Sequence, residues 1–156
     1  MENTNQLYLI GMMGSGKSST AKALSLSLGW NVIDIDDELS KSSNMSINEL
    51  FLRGEENFRK LEFAELQKHI LKENIVIAVG GGAVSYKDSY ELLSSKHCIY
   101  LKTSKNILLD RLKDDNSRPL LNVQNKDEVF EQLMLCLLYT SPSPRDLSTS
   151  RMPSSA

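Results

Sequence analysis

A chain of 156 residues with a formal charge of −2 and an isoelectric point near 5.7 fits one domain with a real hydrophobic core. Its slightly acidic balance argues against nucleic-acid or anionic-membrane binding, and its polar start without a long apolar run argues against a leader or membrane span. Cys98 and Cys136 lie too far apart for a metal motif and give no disulfide framework, so we expect a cytoplasmic protein.

The first motif is a glycine-rich run, GMMGSGKSS, from Gly11 to Ser19. It fills every fixed place of the pattern G-x-x-x-x-G-K-[ST], in which backbone N–H groups cradle phosphates, the lysine reaches the outer phosphates and the hydroxyl serves Mg²⁺. The apolar run Gln6–Ile10 before it predicts a strand, and the spacing after it predicts a helix with one apolar face formed by Ala21, Leu24 and Leu28. Strand, loop and helix in this order indicate a phosphate-binding loop.

The next segment, residues 31–37, predicts a short buried strand that carries two carboxylates at its end, Asp34 and Asp36. Ligands of open parallel sheets bind outside the carboxyl ends of the strands, where the phosphate loop also lies. We therefore expect both carboxylates in the same cleft. A helix N-cap aspartate with a solvated neighbour is the alternative interpretation.

Two helices are predicted next. Ser46 and Glu49 have the spacing of a capping box that opens a short helix, and a longer helix is predicted from Glu55 to Lys72. Its buried side is expected to contain Phe58, Leu61, Leu66 and Ile70.

Arg59 and Glu62 are neighbours on one face of that longer helix. The simpler interpretation, favoured by spacing alone, is a surface salt pair worth about 0.2–0.5 kcal/mol. The alternative makes Arg59 a fork for a substrate carboxylate, with Glu62 orienting it or accepting a hydroxyl.

A central parallel strand is predicted at Ile75–Val79, and it ends at three glycines, Gly80 to Gly82. Close approach of backbone to a ligand is one explanation of the glycines, and a tight turn is the other. A helix around Leu92, a strand at Cys98–Leu101 and a helix at Lys105–Leu112 complete an alternation that predicts an α/β fold with a parallel sheet.

The polar stretch from Asp114 to Val123 contains Arg118 and has the character of a mobile lid, which in phosphoryl transfer screens developing charge and excludes water. Arg111, at the end of the preceding helix, either stacks on a planar base or is solvated there. Asn125 and Glu128 predict the start of a last helix.

The motifs GMMGSGKSS, DID at Asp34–Asp36, GEENFRKLE at Gly54–Glu62, GGG and RPLL from Arg118 together resemble the shikimate kinase family. The resemblance runs from about Gln6 to Leu135. It implies a three-layer P-loop kinase of the nucleoside-monophosphate-kinase type, which moves the γ-phosphate of ATP to the 3-hydroxyl of the small molecule shikimate and needs Mg²⁺. We expect this kinase to be a monomer without nucleic-acid or membrane partners.

The same resemblance implies roles for individual residues. Lys17, Asp36 and Arg118 would be catalytic, with Asp36 accepting the proton of the attacked hydroxyl, and Ser18 and Asp34 would serve Mg²⁺. The residues implied for ATP are Gly14, Ser15, Gly16, Lys17, Ser18, Ser19, Arg111 and Arg118. Those implied for the substrate are Asp36, Arg59, Glu62, Gly80, Gly81 and Gly82.

Two other functional classes stay open from the residues alone. One is another small-metabolite or nucleotide kinase on the same fold, of the gluconate or adenylate kinase type. The other is a nucleotide-binding module without turnover, which the C-terminal sequence keeps open.

The character of the chain changes abruptly at its C-terminal end, where Pro142, Pro144 and Pro153 stand among many serines. Residues 136–141 are what TGT CTC TTA TAC ACA TCT encodes, which looks like the transposase end used in library preparation. We therefore expect a kinase domain at 1–135, incomplete because the family's last strand, closing helix and an arginine near Leu137 are missing. Residues 136–156 would then be a disordered, translated sequencing adapter, the alternative being a genuine disordered tail.

Overall fold

The computed structural model describes residues 5–112. Strands and helices alternate along this part of the chain, as the sequence predicts. They are β1 (Gln6–Gly11), α1 (Lys17–Leu28), β2 (Asn31–Asp34), α2 (Ile35–Ser43), α3 (Ile47–Leu52), α4 (Glu55–Gln67), β3 (Ile75–Ala78), a 3₁₀ turn (Ala83–Ser85), α5 (Lys87–Ser94), β4 (Cys98–Leu101) and α6 (Lys105–Leu112).

Within the described residues, the sheet has the strand order β2-β3-β1-β4 and every pair is parallel. Gln6 of β1 pairs with Ile75 of β3, and Tyr8 pairs with Cys98 of β4. The strand predicted at Ile75–Val79 is thus central and fully buried. All four strands end on the same side, at the edge that carries the loop after β1.

Helices cover both faces of the sheet, which makes three layers. On one face, α1 packs through Ala21 and the half-buried Leu24. The larger core lies on the other face, where apolar side chains of the strands meet those of the remaining helices: Tyr8, Ile10, Ile77, Ile35, Leu39, Leu50, Phe58, Leu66, Leu93 and Leu108. No helix within residues 5–112 is long and apolar enough to cross a membrane.

Several sequence predictions need correction in detail. Residues 31–37 do not form a buried strand: β2 is a half-exposed edge strand that stops at Asp34, and Asp36 lies in the first turn of α2. On α1, Leu28 is exposed rather than part of the apolar face, and on α4, Leu61 is exposed. Cys98 is a buried free cysteine.

The longer helix also ends five residues before the predicted Lys72. The side-chain amide of Gln6 donates hydrogen bonds to the carbonyls of His69, Ile70 and Lys72, so these carbonyls are satisfied by β1 instead of by further helix. The capping box at Ser46 and Glu49 is confirmed, with both reciprocal hydrogen bonds formed.

Candidate active site

The loop between β1 and α1 presents an uncapped helix N-terminus. No side chain caps α1 and no acidic residue occupies its first turn, so the positive end of its dipole faces the loop and favours an anion there. The ammonium of Lys17 donates to the carbonyl oxygens of Gly11 at 2.7 Å and Met12 at 3.0 Å, which holds it over the loop. A polyphosphate at this point would meet both a helix dipole and a lysine.

Asp34 joins the phosphate loop to α2. Its Oδ2 accepts a hydrogen bond of 2.5 Å from the Ser18 hydroxyl, while Oδ1 accepts from the backbone N–H groups of Asp36 at 2.9 Å and Asp37 at 3.4 Å. Asp34 is therefore both the N-cap of α2 and a carboxylate beside the phosphate loop. The two interpretations of this residue, helix cap and cleft carboxylate, are compatible. A hydroxyl and a carboxylate side by side form an all-oxygen pair of the kind that Mg²⁺ prefers.

Arg59 and Glu62 are buried on α4, 5% and 1% exposed, so the surface salt pair favoured by spacing is wrong. Arg59 Nη1 donates to Glu62 Oε1 at 2.9 Å, and Nη2 lies 3.6 Å from Glu55 Oε1. The guanidinium carbon also lies 5.8 Å and 5.2 Å from the ring centres of Phe51 and Phe58. Aromatic faces and carboxylates thus hold a buried cation in place.

The three glycines after β3 pass directly over this pair. A Cβ added to Gly80 would collide with the Glu62 carboxylate and lie 3.3 Å from Asp36 Oδ1, and one added to Gly82 would collide with the Arg59 guanidinium. Neither a tight turn nor a ligand is needed to explain these two glycines, because neighbouring side chains already fill the space.

Gly81 lies closer to the phosphate loop. A Cβ there would lie 3.1 Å from the backbone nitrogen of Met13 and 3.8 Å from Lys17 Nζ. The glycine segment therefore spans the distance between the lysine of the loop and the buried pair of α4.

The carboxyl group of Glu62 is strongly perturbed. Burial raises its pKa from the ordinary 4.5 to about 7, with the negative charge of Asp36 adding to the rise and the positive charges of Arg59 and Lys17 opposing it. The causes themselves show that Glu62 senses charges from the loop, α2 and α4. A titratable group near neutrality at this place is typical of functional sites.

Most of the predicted site residues that the structure describes converge at the carboxyl edge of the sheet: Lys17, Ser18, Asp34, Asp36, Arg59, Glu62, Gly80, Gly81 and Gly82. The backbone of Arg111 belongs to α6, but its side chain lies outside the described set. Arg118, the lid, the last predicted helix and residues 136–156 also lie outside the described residues.

Sequence reasoning missed the surroundings of Arg59. Glu55 stands four residues before Arg59, a spacing that indicates a helical ion pair and was available in the sequence. The rings of Phe51 and Phe58 left no such signal, because their contact with Arg59 depends on how α3 packs against α4.

Comparison with known proteins shows which family the chain belongs to. The family model for shikimate kinase matches residues 13–155. The shikimate kinase of Francisella philomiragia is 43% identical over 139 residues, which cover 86% of this chain and 78% of that protein. A relative from Francisella tularensis is 44% identical over 138 residues, with the same two coverages.

Solved structures give the same answer. A shikimate kinase from Acinetobacter baumannii in complex with shikimate superimposes with a TM-score of 0.81 at 30% identity, covering 96% of this chain and 80% of that one. The shikimate kinase from Aquifex aeolicus gives 0.75 at 32% identity, with coverages of 96% and 89%. A gluconokinase from Sinorhizobium meliloti, at 0.55 and 16% identity, shares the fold alone. From its family match, its relatives and its three-layer architecture around a phosphate loop, the chain belongs to the shikimate kinase family.

Proposed function

We propose that this chain transfers the γ-phosphate of ATP to the 3-hydroxyl of shikimate. The observation that carries the proposal is the adjacency of two unlike sites. A phosphate loop with Lys17 adjoins a group formed by the partly buried Asp36 and the buried Arg59 and Glu62, beside the glycine segment. The name of the solved A. baumannii relative, a complex with shikimate, supports the choice of acceptor.

On the nucleotide side, the backbone from Gly14 to Ser19 and the uncapped end of α1 hold the phosphates, and Lys17 exchanges its loop carbonyls for phosphate oxygens. Phosphoryl transfer passes through a loose transition state, so catalysis consists mainly of alignment and charge neutralisation. Arg118 and Arg111 are proposed to close over the phosphates and to lie against adenine.

On the acceptor side, Asp36 aligns the 3-hydroxyl and takes its proton as the new O–P bond forms and the bond from the γ-phosphorus to the ADP oxygen breaks. Arg59 offers its planar fork to the substrate carboxylate, and Glu62 keeps that fork oriented. The backbone of Gly80–Gly82 completes the wall of this pocket.

Ser18 and Asp34 fit a magnesium site, because both present hard oxygen atoms within hydrogen-bond distance of each other at the loop. Mg²⁺ bound there would neutralise charge on the phosphates. Asp34 would keep its capping bonds to α2 through its other oxygen.

The test measures ADP release with ATP, Mg²⁺ and one of three acceptors in parallel: shikimate, gluconate or AMP. In the parent kinase, with the sequence that its genomic DNA encodes after Leu135, we expect release with shikimate alone. A Lys17→Met variant of the same protein should give none, because it lacks the charge nearest the migrating group. Release that is faster with gluconate or AMP would assign another kinase, and nucleotide binding without release would indicate a binding module.

We further propose that the protein acts as a cytoplasmic monomer without nucleic-acid or membrane partners. Its formal net charge of −2 argues against nucleic-acid and anionic-membrane partners. Light scattering after gel filtration tests the monomer, and a two-fold larger mass would contradict it.

A further inference from the structure

A second cluster of chemistry-bearing side chains lies outside the candidate active site. Glu38 belongs to α2, Glu65 lies near the end of α4, and His69 follows in the turn after α4. One potential ligand atom of each, a carboxylate oxygen or a ring nitrogen, lies within 4.8 Å of the other two. Potential ligand atoms from α2, from α4 and from the turn after α4 thus lie close together.

Two members of this cluster are buried, and one of them, His69, is incompletely hydrogen-bonded. Glu65 and His69 are 4% and 5% exposed. Among the described residues, Nδ1 of His69 has no hydrogen-bond partner, and its Nε2 lies 3.4 Å from Glu65 Oε1, a long contact for a hydrogen bond. Because an incompletely satisfied buried polar group costs free energy, a ligand bound to Nε2, the ring nitrogen that faces Glu65, would stabilise this imidazole.

The electrostatics favour a cation. The buried Glu65 carboxylate already accepts a hydrogen bond from one cation, the ammonium of Lys68. Lys68 Nζ lies 2.8 Å from Glu65 Oε2 and belongs to a mostly exposed side chain that can swing into solvent. Glu38 adds a second, partly exposed carboxylate.

We propose that Glu38, Glu65 and His69 bind a divalent transition-metal ion of the Zn²⁺ type, with water completing its coordination. One imidazole nitrogen and two carboxylate oxygens suit Zn²⁺, whereas Mg²⁺ prefers an all-oxygen set. The ion ties α2 to α4, the helices that carry Asp36 and Arg59. It is therefore a structural clip next to the acceptor pocket and takes no part in the proposed phosphoryl transfer.

The test titrates Zn²⁺ into the full chain in saturating Mg²⁺, so that oxygen-only sites are already filled, and follows binding by calorimetry. We expect one ion per chain. Glu65→Gln and His69→Gln should each weaken binding at least about tenfold, the loss typical of altered metal-site residues. The matched control is His97→Gln, because His97 is the other of the chain's two histidines. It should leave the affinity unchanged.

Lys68→Met gives a test of opposite sign, which does not depend on a variant that loses a ligand. Removing the competing ammonium should tighten Zn²⁺ binding about threefold or more. Circular dichroism without metal checks that each variant is folded. Three results would each overturn the proposal: no bound Zn²⁺, unchanged affinity in a folded His69→Gln variant, or a thiolate absorption band on Co²⁺ substitution, which would assign the ion to cysteine. None of these results depends on kinase activity.

Discussion

At the scale of single residues, Asp36 occupies a position that spacing alone could not specify. It lies in the first turn of α2 with its carboxylate beside the glycine segment, so a helix rather than a strand end brings it to the proposed acceptor site. We predict that Asp36→Asn lowers kcat about 100-fold or more with ATP affinity unchanged, because it removes the proton acceptor and leaves the phosphate loop whole. Kinetics and calorimetry measure the two effects. Asp37→Asn, at the exposed neighbouring position, is the control. An equal loss of kcat in this control would show that Asp36 is not the proton acceptor.

Arg59 makes contacts that a lysine cannot reproduce. Its planar fork reaches the carboxylates of Glu62 and Glu55 at once. We predict that Arg59→Lys raises KM for shikimate about tenfold or more and changes KM for ATP less than about twofold. Steady-state kinetics with each substrate varied decides this, with Arg53→Lys as an exposed control. Similar increases for both substrates would mean that Arg59 only holds the fold.

The raised pKa of Glu62 predicts that the stability of the fold depends on pH. In the folded chain the Glu62 carboxyl group keeps its proton up to about pH 7, whereas in the unfolded chain it releases this proton near pH 4.5. The folded state therefore binds more protons between these two pH values. The free energy of unfolding should therefore fall as pH rises through this window, by about 3 kcal/mol at most. Urea unfolding at several pH values should show this fall in the unsubstituted chain and a flatter pH profile in the Glu62→Gln variant. The exposed Glu56 gives the control, because Glu56→Gln should leave the pH profile unchanged. If Glu62→Gln also left it unchanged, the pH dependence would not come from Glu62.

At the scale of elements, the glycine segment and α4 constrain each other. A methyl group at Gly80 would overlap the Glu62 carboxylate, which is itself held by Arg59. We predict that Gly80→Ala destabilises the fold by about 1–3 kcal/mol, the usual cost of overpacking. In a double variant with Glu62→Ala, the combined loss should be smaller than the sum of the single losses. Denaturant unfolding of the four proteins measures this coupling, and strict additivity would argue against the collision.

The elements themselves could largely be predicted from the sequence, because apolar period and glycine punctuation decide them locally. The contacts between these elements could not be predicted from the sequence. That β2 is an edge strand follows from strand order, and the early end of α4 follows from the reach of Gln6 across the sheet. The burial of Arg59 and Glu62 likewise depends on the packing of α4 beneath the glycine segment. Residue spacing carries no information on such long-range contacts.

At the scale of the whole molecule, DNA sequencing can show whether the genome encodes residues 136–156. The match to the family reaches residue 155, so similarity alone does not decide the origin of residues 136–156. We predict that genomic DNA departs from the printed sequence after the Leu135 codon and encodes an arginine-bearing helix. Resequencing measures this directly. An uninterrupted TGT CTC TTA run in the genome would show that the tail is natural.

The position of β1 in the middle of the sheet has a consequence for synthesis on the ribosome. Its partners β3 and β4 both come later in the chain, and the first of them follows roughly 70 residues afterwards, at Ile75. At typical translation rates, β1 thus emerges about 4–14 s before any strand can pair with it. During this interval the apolar residues Leu7–Ile10 depend on α1 or on a chaperone for cover. Among the described strands, the one that carries the phosphate loop is therefore the first to be made, yet it can pair only after β3 has followed.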